Sequence, residues 1–102
     1  MGATAGFAEF VVKSRWEEVP RAALEAARRA ILDGVGVMLA GSAEPPARIV
    51  QRLAEAEGGA PLCTVLGTHV RSGGVWAALA NGTAGHALDF DDTNFAMMGH
   101  PT

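Results

Sequence analysis

The stretch "AILDGVGVMLAG" (residues 30–41) restricts most strongly what this chain can fold into. It continues a pattern that starts near Pro20 and places Leu24 and Ile31 on one side of a helix. The polar face nearly disappears after Ala30, so this half of the helix should be buried by other helices. The run is too short to span a bilayer and contains Asp33, which we expect to be buried and either paired or hydrogen-bonded to the backbone.

Three further segments are typical of helices, at roughly Thr4 to Ser14, about Pro46 to Glu57, and from Gly74 onward. The segment "PLCTVLG" is β-branched and bounded by proline and glycine, which predicts one short strand. Hydrophobic residues make up 49 % of the chain, mostly alanine and branched aliphatics, and this mixture favours helices. We therefore predict an all-α fold, a single domain of about four helices with one short extended segment.

Charge and cysteine content exclude several classes of protein. The net charge is −3 and the eight lysines and arginines are scattered, so we expect neither nucleic acid nor a membrane as a partner. Cys63 is the only cysteine, which rules out an internal disulfide or an all-cysteine metal site. The N-terminus has no basic region and carries Glu9 inside its apolar stretch, unlike a secretory signal. We expect a soluble, cytoplasmic protein.

The closing stretch "HALDFDDTNFAMMGHPT" carries most of the groups that could do chemistry. It contains three carboxylates within four residues and a histidine on each side: Asp89, Asp91, Asp92, His86 and His100. Carboxylates this close repel one another and titrate together, which can bring one pKa into the range useful for proton transfer. The alternative is a solvated loop in which aspartates cap the next segment. The large apolar residues between the acids argue against a purely solvated loop.

A metal site is a further hypothesis for this stretch. An EF-hand loop starting at Asp89 would need glycine where Asn94 stands and glutamate where His100 stands, so that motif is excluded. No other metal signature is present, and we predict no metal. A divalent cation held by Asp89, Asp91 and His100 stays open as the alternative.

His86 has two interpretations of its own. It falls on the same side of the last helix as Val75 and Leu79, and we expect it to be packed and hydrogen-bonded, or else to line a pocket. His69 lies in a polar turn and should be exposed.

Three segments resemble one family. "ARRAILDGVGVMLAGSAEP", "TVLGTHVRSGGVWAALANGTAGHALDFDDTN" and "GHPT" are similar, in register, to the N-terminal part of the MmgE/PrpD family. That family includes 2-methylcitrate dehydratases, cis-aconitate decarboxylases and iminodisuccinate epimerases. Its members are several times longer, so the resemblance implies that residues 1–102 are part of an N-terminal helical domain. The rest of that domain and an α/β lid domain would lie in later sequence.

The resemblance also implies a site. Asp89, Thr93 and His100 match residues of the family's active-site wall and are our candidate catalytic residues. Asp92, His86 and Asp91 are candidates for substrate binding. The implied substrate is a small anionic carboxylate, with no cofactor, and the implied assembly is a homodimer.

The chemistry agrees with these residue types. Removing a proton α to a carboxylate needs a base, and expelling hydroxide needs an acid; aspartate and histidine can supply both. We therefore expect the N-terminal part of a cofactor-independent dehydratase or decarboxylase acting on a di- or tricarboxylate such as 2-methylcitrate or cis-aconitate. An epimerase of the same family and a non-catalytic helical interaction module are the alternatives. Only His100 and Arg71 offer positive charge for the substrate, so this chain alone should be inactive.

Overall fold

The computed structural model describes residues 2–101, and most of them are helical. The four α-helices are Ala3–Lys13 (α1), Arg21–Gly41 (α2), Pro45–Glu57 (α3) and Gly74–His86 (α4), and a 3-10 turn at Trp16–Glu18 precedes α2. This confirms the predicted all-α class with about four helices. No helix within residues 2–101 has the length and apolar character needed to cross a membrane.

Proline and glycine set the helix ends, which is why the sequence predicted them closely. Pro20 is the residue before α2, and Pro45 and Pro46 open α3. Proline suits these positions because its φ is already helical and the first N–H groups of a helix have no partner within it. Gly58 follows α3 with a φ of 62°, a conformation that glycine adopts without strain.

The extended region is a hairpin rather than the single strand that we predicted. Two short strands, Cys63–Thr64 (β1) and Arg71–Ser72 (β2), pair antiparallel, with Cys63 opposite Ser72. The amide of Asn81 on α4 holds the hairpin: its oxygen accepts from the N–H of Leu66 at 2.8 Å, and its nitrogen donates to the carbonyl of Thr64 at 3.0 Å.

The guanidinium of Arg71 is hydrogen-bonded within this hairpin. It donates to the carbonyls of Pro61 and Leu62, both at 2.9 Å, and to the hydroxyl of Thr64 at 3.1 Å. These donors fix the edge of the hairpin. That Arg71 also offers charge to a substrate stays a prediction.

The core lies where α4 packs against α2, α3 and the hairpin. Its buried members are small: Ala54, Val65, Val70, Ala77 and Ala80. Small side chains let helices approach closely, and the closest approach is at Gly41. A Cβ built there would lie 2.0 Å from the carbonyl oxygen of Ala84, so only glycine fits.

The second half of α2 is less buried than its composition predicts. Gly34, Val37 and Gly41 are buried, but Ile31 and Leu32 are 68 % and 73 % exposed. Asp33 is also exposed, so the expectation that it lies in a buried half of the helix is wrong. Within residues 2–101, α4 covers a single face of α2, and Asp33 lies outside that face.

The contact at Gly41 predicts a large effect from one methyl group. Gly41→Ala should force α2 and α4 apart and lower the free energy of unfolding by about 1–3 kcal/mol or more, the usual cost of overpacking. Urea unfolding followed by circular dichroism measures this. Gly36→Ala is the matched control, because a Cβ at Gly36 meets nothing within 4 Å. It should raise stability by up to about 1 kcal/mol through helix propensity. Equal effects of the two substitutions would contradict the packing argument.

Candidate active site

The chain reverses direction immediately after α4, and this turn builds the site. The helix ends at His86, and the N–H of Asp89 donates to the carbonyl of His86 at 3.0 Å. Asp89 has a φ of 55°, a left-handed conformation that aspartate tolerates better than most residues. The turn carries Asp91 back toward the end of the helix.

His86 and Asp91 form a hydrogen-bonded pair across this turn. The Nδ1 atom of His86 lies 3.1 Å from Oδ1 and 3.3 Å from Oδ2 of Asp91. The Asp91 side chain is 4 % exposed, whereas that of His86 is 60 % exposed. The carboxylate is therefore the inner partner, and the imidazole presents its other edge outward.

A second loop brings His100 to the same place. Asn94 and Gly99 exchange backbone hydrogen bonds, and the side-chain oxygen of Asn94 accepts from the N–H groups of Ala96 and Met97. This closes the loop and returns the chain to α4. The ring of His100 then meets that of His86 edge-to-face, with 4.7 Å between centroids.

His100 lies between two carboxylates. Its Nδ1 is 3.3 Å from Oδ1 of Asp91, and its Nε2 is 3.4 Å from Oδ1 of Asp89. The Nδ1 atom is buried and, within the described part of the chain, makes no hydrogen bond of acceptable geometry. Asp89 itself is exposed, so its carboxylate is accessible from outside.

These groups border a cavity of about 300 Å³ between α2, α4 and the C-terminal loop. Its lining is Met38, Gly82, Gly85, His86, Asp91 and His100. A Cβ at Gly82 would meet nothing within 4 Å, whereas one at Gly85 would lie 3.3 Å from Cγ of Met38. Gly82 thus leaves open space in the cavity wall. The missing side chain at Gly85 lets Met38 of α2 pack against α4 as part of the cavity lining.

Four of the six predicted site residues lie together, namely His86, Asp89, Asp91 and His100. Asp92 borders a neighbouring cavity together with Pro101 and α2. The hydroxyl of Thr93 donates to the carbonyl of Asp91 at 3.4 Å, and Thr93 is outside the cavity lining. Met38 was missed by sequence reasoning, because only the packing of α2 on α4 brings it to the site.

His86 only partly matches its expected environment. It is hydrogen-bonded and lines a cavity, but the packing that we expected beside Val75 and Leu79 is wrong. Val75 is exposed, and α4 is packed through Ala77, Ala80, Ala84 and Gly85. Small residues form the buried face because they allow the close helix contact.

The electrostatics of Asp91 combine two opposing effects. Burial by itself raises the pKa of this carboxyl group, but the hydrogen bond from His86, a backbone hydrogen bond and the nearby charges of His100 and His86 together outweigh burial. The net result is a pKa below the ordinary value. Asp91 is thus held in its ionised form as a hydrogen-bond acceptor.

The same four side chains could supply ligands to a cation, since one donor atom of each lies within 4.8 Å of all the others. Carboxylate and imidazole suit a divalent transition metal. The Nδ1 atom of His86 is already hydrogen-bonded to Asp91, so a cation that used this nitrogen would have to replace that hydrogen bond.

Comparison with known families decides the relationship. The sequence model of the MmgE/PrpD N-terminal domain matches residues 5–102. The chain belongs to the MmgE/PrpD family. No curated protein and no solved structure matches it significantly. The cavity, the His86–Asp91 pair and His100 all lie within the matched residues of this MmgE/PrpD domain.

The lowered pKa of Asp91 predicts how the stability of this MmgE/PrpD domain depends on pH. A group whose pKa is lower in the folded state stabilises the fold above its unfolded pKa, and this contribution is lost as pH falls through the folded value. Stability should therefore decline below about pH 4, the ordinary range of aspartate. Asp91→Asn should make the free energy of unfolding fall less steeply between about pH 5 and pH 3.

Urea unfolding at each pH measures this dependence. Asp92→Asn is the control, because Asp92 is an exposed neighbour of the same charge. It should leave the slope close to that of the unchanged protein. Identical slopes for all three proteins would contradict the special role of the buried carboxylate.

Proposed function

We propose that this chain is the N-terminal part of a cofactor-independent lyase that dehydrates or decarboxylates a small di- or tricarboxylate, such as 2-methylcitrate or cis-aconitate. The observation that carries the proposal is the His–Asp cluster, in a member of this family, on a cavity of about 300 Å³. That volume is at the small end of the range for ligand pockets and suits a compact substrate.

We assign Asp89, Thr93 and His100 as catalytic residues in this reaction. The support for Asp89 and His100 is their 3.4 Å approach, because an exposed carboxylate beside an imidazole can exchange a proton with it and with a substrate. Thr93 rests on the family motif alone. His86, Asp91 and Asp92 are assigned to substrate binding, with Asp92 reached from the neighbouring cavity.

The proposed reaction needs one base and one acid. In dehydration, a base takes the proton α to a carboxylate, the C–H electrons form the double bond, and hydroxide leaves with a proton from an acid. In decarboxylation, the carbanion left by carbon dioxide is protonated instead.

We also propose a cytoplasmic homodimer. The single cysteine suits a reducing compartment, and the dimer rests on the family resemblance.

Three alternatives have distinct tests. Turnover of iminodisuccinate, but not of 2-methylcitrate or cis-aconitate, would indicate an epimerase. A non-catalytic interaction module would give no activity even when this chain is combined with the rest of the enzyme. Zn²⁺ or Mn²⁺ raising the melting temperature, with the effect lost in Asp91→Asn, would indicate a metal site on this cluster.

The proposal predicts that two substitutions affect turnover far more than stability. Asp89→Asn keeps the shape of the side chain and removes its charge, and His100→Gln removes the titratable ring. In the whole enzyme, each should lower kcat by roughly 10²- to 10⁴-fold, the usual size of a general acid–base contribution. Steady-state kinetics with 2-methylcitrate and cis-aconitate measures the loss, and thermal melting measures the stability.

The double variant and one control sharpen this test. Because residues that act as a unit are not additive, the double variant should be little worse than the poorer single one. Asp33→Asn is the control: Asp33 is exposed and outside the cavity, so both turnover and stability should stay unchanged. Near-normal turnover of Asp89→Asn and His100→Gln would show that neither residue is catalytic and that Asp89 is only part of a solvated turn.

A separate prediction concerns the cavity itself. Gly82→Ala adds a methyl group to the cavity wall without striking any protein atom. It should keep or slightly raise stability. It should also raise KM by about tenfold or more, the scale of one methylene in a substrate pocket. Gly36→Ala is matched in chemistry and outside this cavity, and its KM should be normal. An unchanged KM in Gly82→Ala would place the substrate elsewhere.

A further inference from the structure

We propose that His86 is the residue that takes the substrate proton, through its Nε2 atom, and that Asp91 is its positioning residue. This inference rests on the proposed function and revises two of its roles. There, both residues were assigned to substrate binding, and His100 was the catalytic histidine.

The two histidines differ in how they meet Asp91. Nδ1 of His86 has hydrogen-bond geometry to both oxygens of the carboxylate, at 3.1 and 3.3 Å. Nδ1 of His100 lies at a similar distance, 3.3 Å, but is buried without a hydrogen bond among the described residues. An oriented ring is therefore found at His86 and not at His100.

The hydrogen bond fixes which nitrogen of His86 carries the hydrogen. An ionised carboxylate only accepts, so the hydrogen must lie on Nδ1 of the imidazole. In the neutral ring, Nε2 then has a free electron pair. A buried carboxylate holds the imidazole of a catalytic triad in its active tautomer in the same way.

Burial divides the two roles between the partners. The side chain of Asp91 is 4 % exposed and cannot readily reach a substrate, whereas that of His86 is 60 % exposed. The cavity wall next to His86 on α4 is formed by Gly82 and Gly85, which have no side chains to block the ring. A substrate carbon can therefore approach His86 while the carboxylate stays behind it.

The charged surroundings of His86 come from one side. Asp89, Asp91 and His100 face it from the C-terminal segment, and α2 contributes the uncharged Met38.

In dehydration, Nε2 takes the proton α to a carboxylate, and the C–H electron pair forms the carbon–carbon double bond. Hydroxide leaves from the neighbouring carbon with a proton from His100, and the products are the unsaturated acid and water.

The tautomer can be measured on this chain directly. Two-bond ¹H–¹⁵N spectra at about pH 8, above the usual titration range of histidine, report which nitrogen carries the hydrogen. His86 should have it on Nδ1, and Asp91→Asn should shift it toward Nε2. His69, exposed in the hairpin turn, should be unaffected by that substitution. A ring hydrogen on Nε2 of His86 in the unchanged protein would overturn the inference, whatever the protein catalyses.

Kinetics of the whole enzyme then tests the catalytic role. His86→Gln and Asp91→Asn should each lower kcat by about 10²-fold or more while KM changes little. Asp91→Glu, which can still accept from the ring, should recover part of the loss. His69→Gln should behave as the unchanged enzyme.

The outcomes separate this inference from the proposed function. If the unchanged enzyme is active and both variants change only KM, His86 is a binding residue and the inference fails while the lyase proposal stands. If the unchanged enzyme turns over none of the carboxylates tested, the proposed function fails, and the catalytic role of His86 fails with it. Large losses in kcat together with the expected tautomer support both.

Discussion

The contact between α2 and α4 at Gly41 is the constraint on which the rest of the structure depends. The carbonyl of Ala84 occupies the space where a side chain at Gly41 would begin. This approach places the end of α4, and therefore His86, at a fixed distance from α2. It also brings Met38 against Gly85, and these two residues together form one wall of the cavity. The site exists because two helices can touch through their backbones.

The sequence predicted the helices well because their ends carry local signals. Pro20, Pro45 and Gly58 mark boundaries by their own backbone preferences. The hairpin was harder, because two-residue strands are too short to show alternation. It is held by Asn81 and Arg71, whose hydrogen bonds reach residues distant in sequence or across the turn. Such contacts leave no periodic pattern.

Burial was predicted less well than secondary structure. Periodicity shows which residues of α2 are apolar, but not how many neighbours cover them. Asp33 was expected to be buried for this reason and is exposed. The site shows the same limit: the motif identified His86, Asp91 and His100, but not which of them pair. That pairing depends on the left-handed turn at Asp89. Glycine is the usual residue in this conformation, so an aspartate there gives no sequence signal for the turn.

Burial also separates aspartates that look equivalent in "DFDDT". Asp91 is buried behind His86, Asp89 is exposed beside His100, and Asp92 borders another cavity. Hence a single motif supplies one buried carboxylate that accepts a hydrogen bond from a ring and another that is accessible from outside.

The charged groups that line the cavity limit how it could bind an anion. Among residues 2–101, those lining it include neither lysine nor arginine, so this segment can offer positive charge to an anionic substrate only through histidine. A ring that accepts a proton at Nε2 must start neutral and cannot also provide that charge. If His86 takes the proton, His100 is the group left to give one to the leaving hydroxide, and it must therefore start protonated. In the proposed reaction, the two rings, with 4.7 Å between their centroids, would divide the two proton transfers between them.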